Sequence, residues 1–122
     1  MDRSDAIVLT VYPNGGKRDR RQHLHIRNTG DGEFDITGFT IRFDTGQEYE
    51  LQALGDARSL ELLPGGELLV LTARECKAKD GMLLSYPGVH IRNARFAESA
   101  LTDGGTVSIV DADDELVAEA TH

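Results

Sequence analysis

His23-Leu24-His25-Ile26-Arg27-Asn28-Thr29-Gly30-Asp31 is the stretch on which the fold reading turns. Leu24 and Ile26 alternate with polar neighbours, and Asn28-Thr29-Gly30-Asp31-Gly32 then stops the pattern. A period of two puts alternate side chains on opposite faces, so this is a β-strand with one apolar face. The chain runs on into Asp35-Ile36-Thr37-Gly38-Phe39-Thr40-Ile41, where Phe39, Ile41 and Phe43 form a second alternating set. Ile36 lies out of phase with that set, and Gly38 stands between them. A bulge or sheet-switching corner at Thr37-Gly38 reconciles the two phases.

Working outward, the same period continues. Ile7, Leu9 and Val11 share a face ahead of a Pro13-Asn14-Gly15-Gly16 turn. Asp44-Thr45-Gly46 turns the chain before Tyr49 and Leu51, and Leu60 with Leu62 suits a further short strand. In Leu63-Pro64-Gly65-Gly66 a proline presets φ and a glycine behind it admits φ > 0, which is turn chemistry. Leu68-Leu69-Val70-Leu71 is apolar without a break, as expected of a strand covered on both sides or ending under a loop. Thr72 and Glu75 have capping-box spacing, so a helical turn or two is expected near 73–80, with Gly81 able to cap its end. Val89 and Ile91 begin another strand. A closing hairpin runs in through Val107 and Ile109, turns at Asp111-Ala112-Asp113-Asp114, and leaves through Leu116, Ala118 and Ala120. Seven to nine short strands at this turn spacing predict an all-β antiparallel sandwich or barrel.

The 122 residues suit one domain spanning 1–122. The lone Cys76 excludes an intrachain disulfide. Met1 to Asp5 lacks a basic leader followed by a long apolar run, and Ala6 to Val11 is shorter than the roughly 20 residues of a membrane span. A cytoplasmic protein without a membrane partner is expected. The net charge is −8, with three lysines among the 13 basic residues. A high-salt cytoplasm favours such an acidic, lysine-poor surface; a GC-rich genome also exchanges Lys for Arg. This balance disfavours a general nucleic-acid binder, which needs a positive surface.

Three stretches, the first two quoted above as 23–41 and 63–71, and Asp103-Gly104-Gly105-Thr106-Val107-Ser108-Ile109-Val110-Asp111-Ala112-Asp113, resemble the lamin tail domain family in their order and spacing. The similarity runs from about Gln22 to the C-terminus and is weakest between Lys77 and Ser99. It implies an immunoglobulin-like sandwich that binds partners rather than catalysing reactions. Relatives accompany intermediate-filament rods in animals and hydrolases, including nucleases, in microbes. With no heptads and no hydrolase, this chain would be a free-standing microbial example, haloarchaeal if the acidity reflects salt. Family members commonly carry Trp after the glycine matching Gly38, where this chain has Phe39. His25 stands where they tend to have Glu, which changes an outward-facing charge.

Arg21, His23, His25 and Arg27 have odd numbers on one strand and so share the face opposite Leu24 and Ile26. Lys17, Arg18 and Arg20 precede them. His25-Ile26-Arg27-Asn28 recurs as His90-Ile91-Arg92-Asn93, adding His90 and Arg92 as candidates if both strands lie in one sheet. The functional reading is an anion site for nucleic-acid phosphates or an acidic partner. The plain reading is a solvated sheet face. His23 and His25 are too few for a closed zinc site, and Asp111, Asp113, Asp114 and Glu115 lack EF-hand spacing. Cys76 has no resolving cysteine and suits a structural thiol. No nucleophile elbow, Walker loop or dinucleotide fingerprint is present. The expectation is a non-enzyme without cofactor or metal, docking a protein partner through a sheet face, edge strand or loops. Phosphate binding through Lys17 to Arg27 is the alternative.

Overall fold

A computed structural model of the chain describes residues 6–16, 21–53, 58–74, 77, 79–83, 88–101 and 104–122, with backbone alone at 82 and 83. The alternating segments become β1 (Ile7–Tyr12), β2 (His23–Asn28), β3 (Phe34–Asp35), β4 (Thr40–Phe43), β5 (Glu48–Glu50) and β6 (Glu61–Leu62). They continue as β7 (Glu67–Leu71), β8 (Gly81–Leu83), β9 (Val89–Asn93), β10 (Thr106–Val110) and β11 (Leu116–Thr121). A five-stranded sheet runs in the order β1-β2-β7-β9-β8 and a four-stranded sheet in the order β11-β10-β4-β5. The two-residue strands β3 and β6 form a small pair of their own. The architecture is an all-β sandwich, one of the two forms the periodicity admits and the one the resemblance implies.

Its core comes from facing alternations. Leu24, Ile26, Leu68 and Val70 are fully buried on one sheet, and Ile41, Phe43, Val107 and Ile109 are buried on the other. Each such side chain contributes roughly 1.5–3 kcal/mol. Leu69 and Leu71, on the opposite face of β7, are buried as well. That explains the unbroken apolar run of this central strand.

The expected corner is present. Gly38 has φ +80°, and the chain leaves the β3–β6 pair to enter the four-stranded sheet there. Thr37 secures it: its hydroxyl donates to Asp35 Oδ1 (2.6 Å) and accepts from the Leu60 N–H (2.6 Å). Ile36 and Phe39 then both reach the core, and Phe39 fills its position with an edge-on contact to Phe34.

Asn28 joins two of the turn motifs. Its backbone N–H donates to the Gly66 carbonyl (3.0 Å), and its carbonyl accepts from the Gly65 N–H (2.8 Å). Its buried Nδ2 donates to the carbonyls of Leu62 (2.8 Å) and Gly32 (2.9 Å), while Oδ1 accepts from the Gly30 N–H (2.9 Å). Leu63-Pro64-Gly65-Gly66 is a type II turn, with φ +80° at Gly65 and the Gly66 N–H donating to the Leu63 carbonyl (2.7 Å). A Cβ on Gly66 would lie 2.8 Å from that same carbonyl oxygen, so the second glycine is a steric requirement.

Two features differ from the sequence expectation, and a third lies partly outside the described residues. The β7–β9 pair is parallel, the exception among the strand pairs described, because the chain crosses through β8 before returning. A register shift at Ile109/Val110 puts Val117 in the core and leaves Leu116 outside it, 58% exposed. The helical turn expected near 73–80 falls partly on residues 75, 76 and 78, outside the described set. Thr72, its expected cap, instead donates through its hydroxyl to Gln22 Oε1 (3.1 Å).

Asn28→Ala removes three side-chain hydrogen bonds, to the buried Leu62 carbonyl and to the part-buried Gly32 carbonyl and Gly30 N–H, at an expected cost of about 1–3 kcal/mol for the buried carbonyl left unsatisfied. Urea melts should show a lower midpoint at unchanged slope; an unaltered midpoint would contradict the bracket role.

Candidate interaction surface

The outer face of the five-stranded sheet follows from its register. One row across it reads Val8, Arg27, Glu67, Val89; the next Thr10, His25, Leu69, Ile91; the third Tyr12, His23, Leu71, Asn93. The face is therefore mixed, with apolar side chains through the middle of β7 and β9.

The basic residues meet different fates on it. Lys17, Arg18 and Arg20 lie outside the described residues. Arg21 and Arg27 are exposed. His23, 1% exposed, stacks on Tyr12 (centroids 4.8 Å apart) and its Nδ1 is 2.8 Å from the Arg21 carbonyl. His25 Nε2 lies 2.7 Å from Glu67 Oε1, so β7 supplies a carboxylate to the strand that carries the strip. Both histidines are engaged in separate contacts and do not converge as chelators. Among the described residues no group of three His, Cys, Asp or Glu comes together.

His90 and Arg92 leave the strip altogether. They pair with Leu68 and Val70, whose side chains point into the core, so they face inward while Ile91 and Asn93 take the face of His25 and Arg27. The repeated tetrapeptide thus runs in opposite phase on β2 and β9, and the two copies make no joint basic patch. What the copies do share is the asparagine: Asn93 Oδ1 accepts from the Arg95 N–H (2.8 Å) as Asn28 Oδ1 does from Gly30, closing a turn two residues on.

Arg92, 2% exposed, works as a pin. Its Nη1 donates to the carbonyls of Ile91 (3.0 Å) and Gly81 (3.4 Å), and Nη2 and Nε donate to the Gln52 carbonyl (3.3 and 3.4 Å). That ties the β8–β9 edge to the segment after β5. Burial raises the Tyr49 phenol above its ordinary pKa, and the Asp80 carboxylate adds to the rise against Arg92 and Arg95.

The acidic hairpin tip is also accounted for locally. Asp111 is buried, and its Oδ1 accepts from the N–H groups of Asp113 (2.9 Å) and Glu115 (3.0 Å). Arg42 pairs with Asp114 and, at 3.5 Å, with Glu48.

The opposite side of the sandwich is built differently. β1 and β11 are the edge strands of the two sheets and run near each other, yet no strand ladder joins them. A groove of about 470 Å³ separates them, lined by residues 7–9 and 116–119. Val8 (47%) and Leu116 (58%), the exposed large hydrophobics among the described residues, both line it. Sequence reasoning missed this groove, because strand order and the bulge at Val117 of β11 create it.

No helix among the described residues is long and apolar enough to cross a membrane. Scanned against protein families, the chain matches none, and no curated protein matches it.

Burial, then the Arg92 guanidinium, push the His90 imidazole below its ordinary pKa, against a backbone hydrogen bond at Glu61. The unfolded chain therefore takes up a proton here, near pH ~6.5, where the folded chain resists it. Stability from this group is present at neutral pH and is lost on acidification. His90→Gln should lose less Tm than the parent between about pH 7 and pH 5; equal losses would contradict the assignment.

Proposed function

We propose that the chain is a non-catalytic interaction module, similar to lamin tail domains, that docks an extended protein segment along an edge strand. The observation that carries this reading is the β1–β11 groove, where exposed apolar side chains border a sheet edge to which no strand among the described residues is paired. Edges of this kind accept added strands, with backbone hydrogen bonds giving affinity and alternate side chains giving specificity. The family resemblance supports it through its own residues. Asn28, Gly65 and Gly66 act as structural brackets, and Phe39 serves the core. Motif residues engaged in this way fit a scaffold whose binding chemistry lies elsewhere.

The alternative, phosphate binding through Lys17 to Arg27, keeps exposed Arg21 and Arg27, about 20 Å apart along the strand. Glu67 stands beside Arg27 and holds His25, and the net charge of −8 opposes a polyanion.

Panning random displayed dodecapeptides on the protein, with a Val8→Lys/Leu116→Lys variant as counter-selection, should enrich segments of alternating apolar residues. No enrichment over the variant would contradict edge docking. A labelled DNA duplex should show no salt-sensitive binding; a steep salt dependence abolished by Arg21→Glu/Arg27→Glu would favour the phosphate reading instead.

A further inference from the structure

The phase of the β1–β2 ladder decides which backbone groups remain open. The Thr29 N–H donates to the Ala6 carbonyl (2.7 Å), and the register then continues through Val8↔Arg27, Thr10↔His25 and Tyr12↔His23. In an antiparallel pair, every second residue turns its N–H and C=O away from the partner strand. On β1 those residues are Ile7, Leu9 and Val11. Their side chains point into the sandwich while their peptide groups face the groove.

The sheet edges differ in charge. β5 presents Glu48 and Glu50, and β11 presents Glu119. β8 is three residues long. β1 has six residues, Ile-Val-Leu-Thr-Val-Tyr, none of them charged. Charged side chains on an edge are a standard defence against strand addition, and β1 has none. On a chain of net charge −8, two copies would set like charges face to face if they joined through β5 or β11. Joined through β1, they set neutral strand against neutral strand.

We propose that β1 pairs antiparallel with β1 of a second copy of this chain, about a two-fold axis at Leu9. The register is then forced. Leu9 pairs with Leu9 of the other copy, and Ile7 with its Val11, so that all three residues with outward peptide groups find partners. Val8 comes opposite Thr10 of the other copy in the close, non-hydrogen-bonded position, and the added strand covers Val8 and Leu116. This inference rests on the reading of the groove as the docking edge and names its occupant.

Sedimentation velocity from low micromolar to high micromolar protein tests it, at low and at raised salt. The expected result is a monomer–dimer equilibrium that tightens as salt screens the repulsion between acidic copies. Val8→Lys should weaken the dimer at least tenfold, whereas Val8→Thr, which keeps the β-branched shape, should retain it. In a Cys76→Ser background, Val8→Cys mixed with Thr10→Cys should give an oxidised cross-linked dimer, and Val8→Cys alone should cross-link poorly. A chain that stays monomeric throughout overturns the proposal. So does a dimer indifferent to Val8→Lys or one in which Val8→Cys cross-links best to itself. A monomer that still enriches peptides over the Val8→Lys/Leu116→Lys variant would defeat self-pairing alone and leave edge docking standing.

Discussion

Asn28 is the constraint on which the rest of the molecule depends. At the end of β2 it bonds through its backbone to Gly65 and Gly66 and through its side chain to Leu62, Gly32 and Gly30. Those contacts set where β7 begins beside β2. Because side chains alternate, a slip of one residue would send Leu68 and Val70 outward and Glu67 and Leu69 into the core. The same β7 register carries through to β9 and determines that His90 and Arg92 face inward. One buried amide, fully bonded, thus fixes the phase of three strands. Buried amides of this kind specify structure because the unbonded alternatives are costly.

Much of this was legible in the chain because period two is a local signal. The alternation of Ile7, Leu9 and Val11, of Leu24 and Ile26, and of Phe39, Ile41 and Phe43 identifies strands and their buried faces directly. Gly38 marked the corner because Ile36 and Phe39 could not otherwise share a core. The second His-Ile-Arg-Asn was different. Val89 and Ile91 look like the inward residues of β9, but parallel pairing with β7 gives that face to His90 and Arg92. Alternation identifies which residues travel together, and the neighbouring strand decides which way they point. An arginine is tolerated inside because its guanidinium reaches the carbonyls of Gln52, Gly81 and Ile91.

The described members of the basic strip are kept apart for a related reason. Read from the sequence alone, Arg21, His23, His25 and Arg27 share one face. Between Arg21 and Arg27, however, Tyr12 covers His23 from β1 and Glu67 meets His25 from β7. The side chains that engage the two histidines belong to other strands, Glu67 to one distant in sequence. The groove escaped notice for the complementary reason: its walls are strands from the two ends of the chain, and Leu116 reaches it only because of a bulge with no glycine to announce it.

Among the described residues β1 is an open edge, with no strand paired to its outward peptide groups. Residue-resolved hydrogen exchange on dilute protein measures this directly. Exchange should alternate along β1: rapid at Ile7, Leu9 and Val11, and slow at Val8, Thr10 and Tyr12, whose N–H groups bond to β2. Uniform protection of all six amides would mean that the edge is already closed and that β1 is not a docking strand.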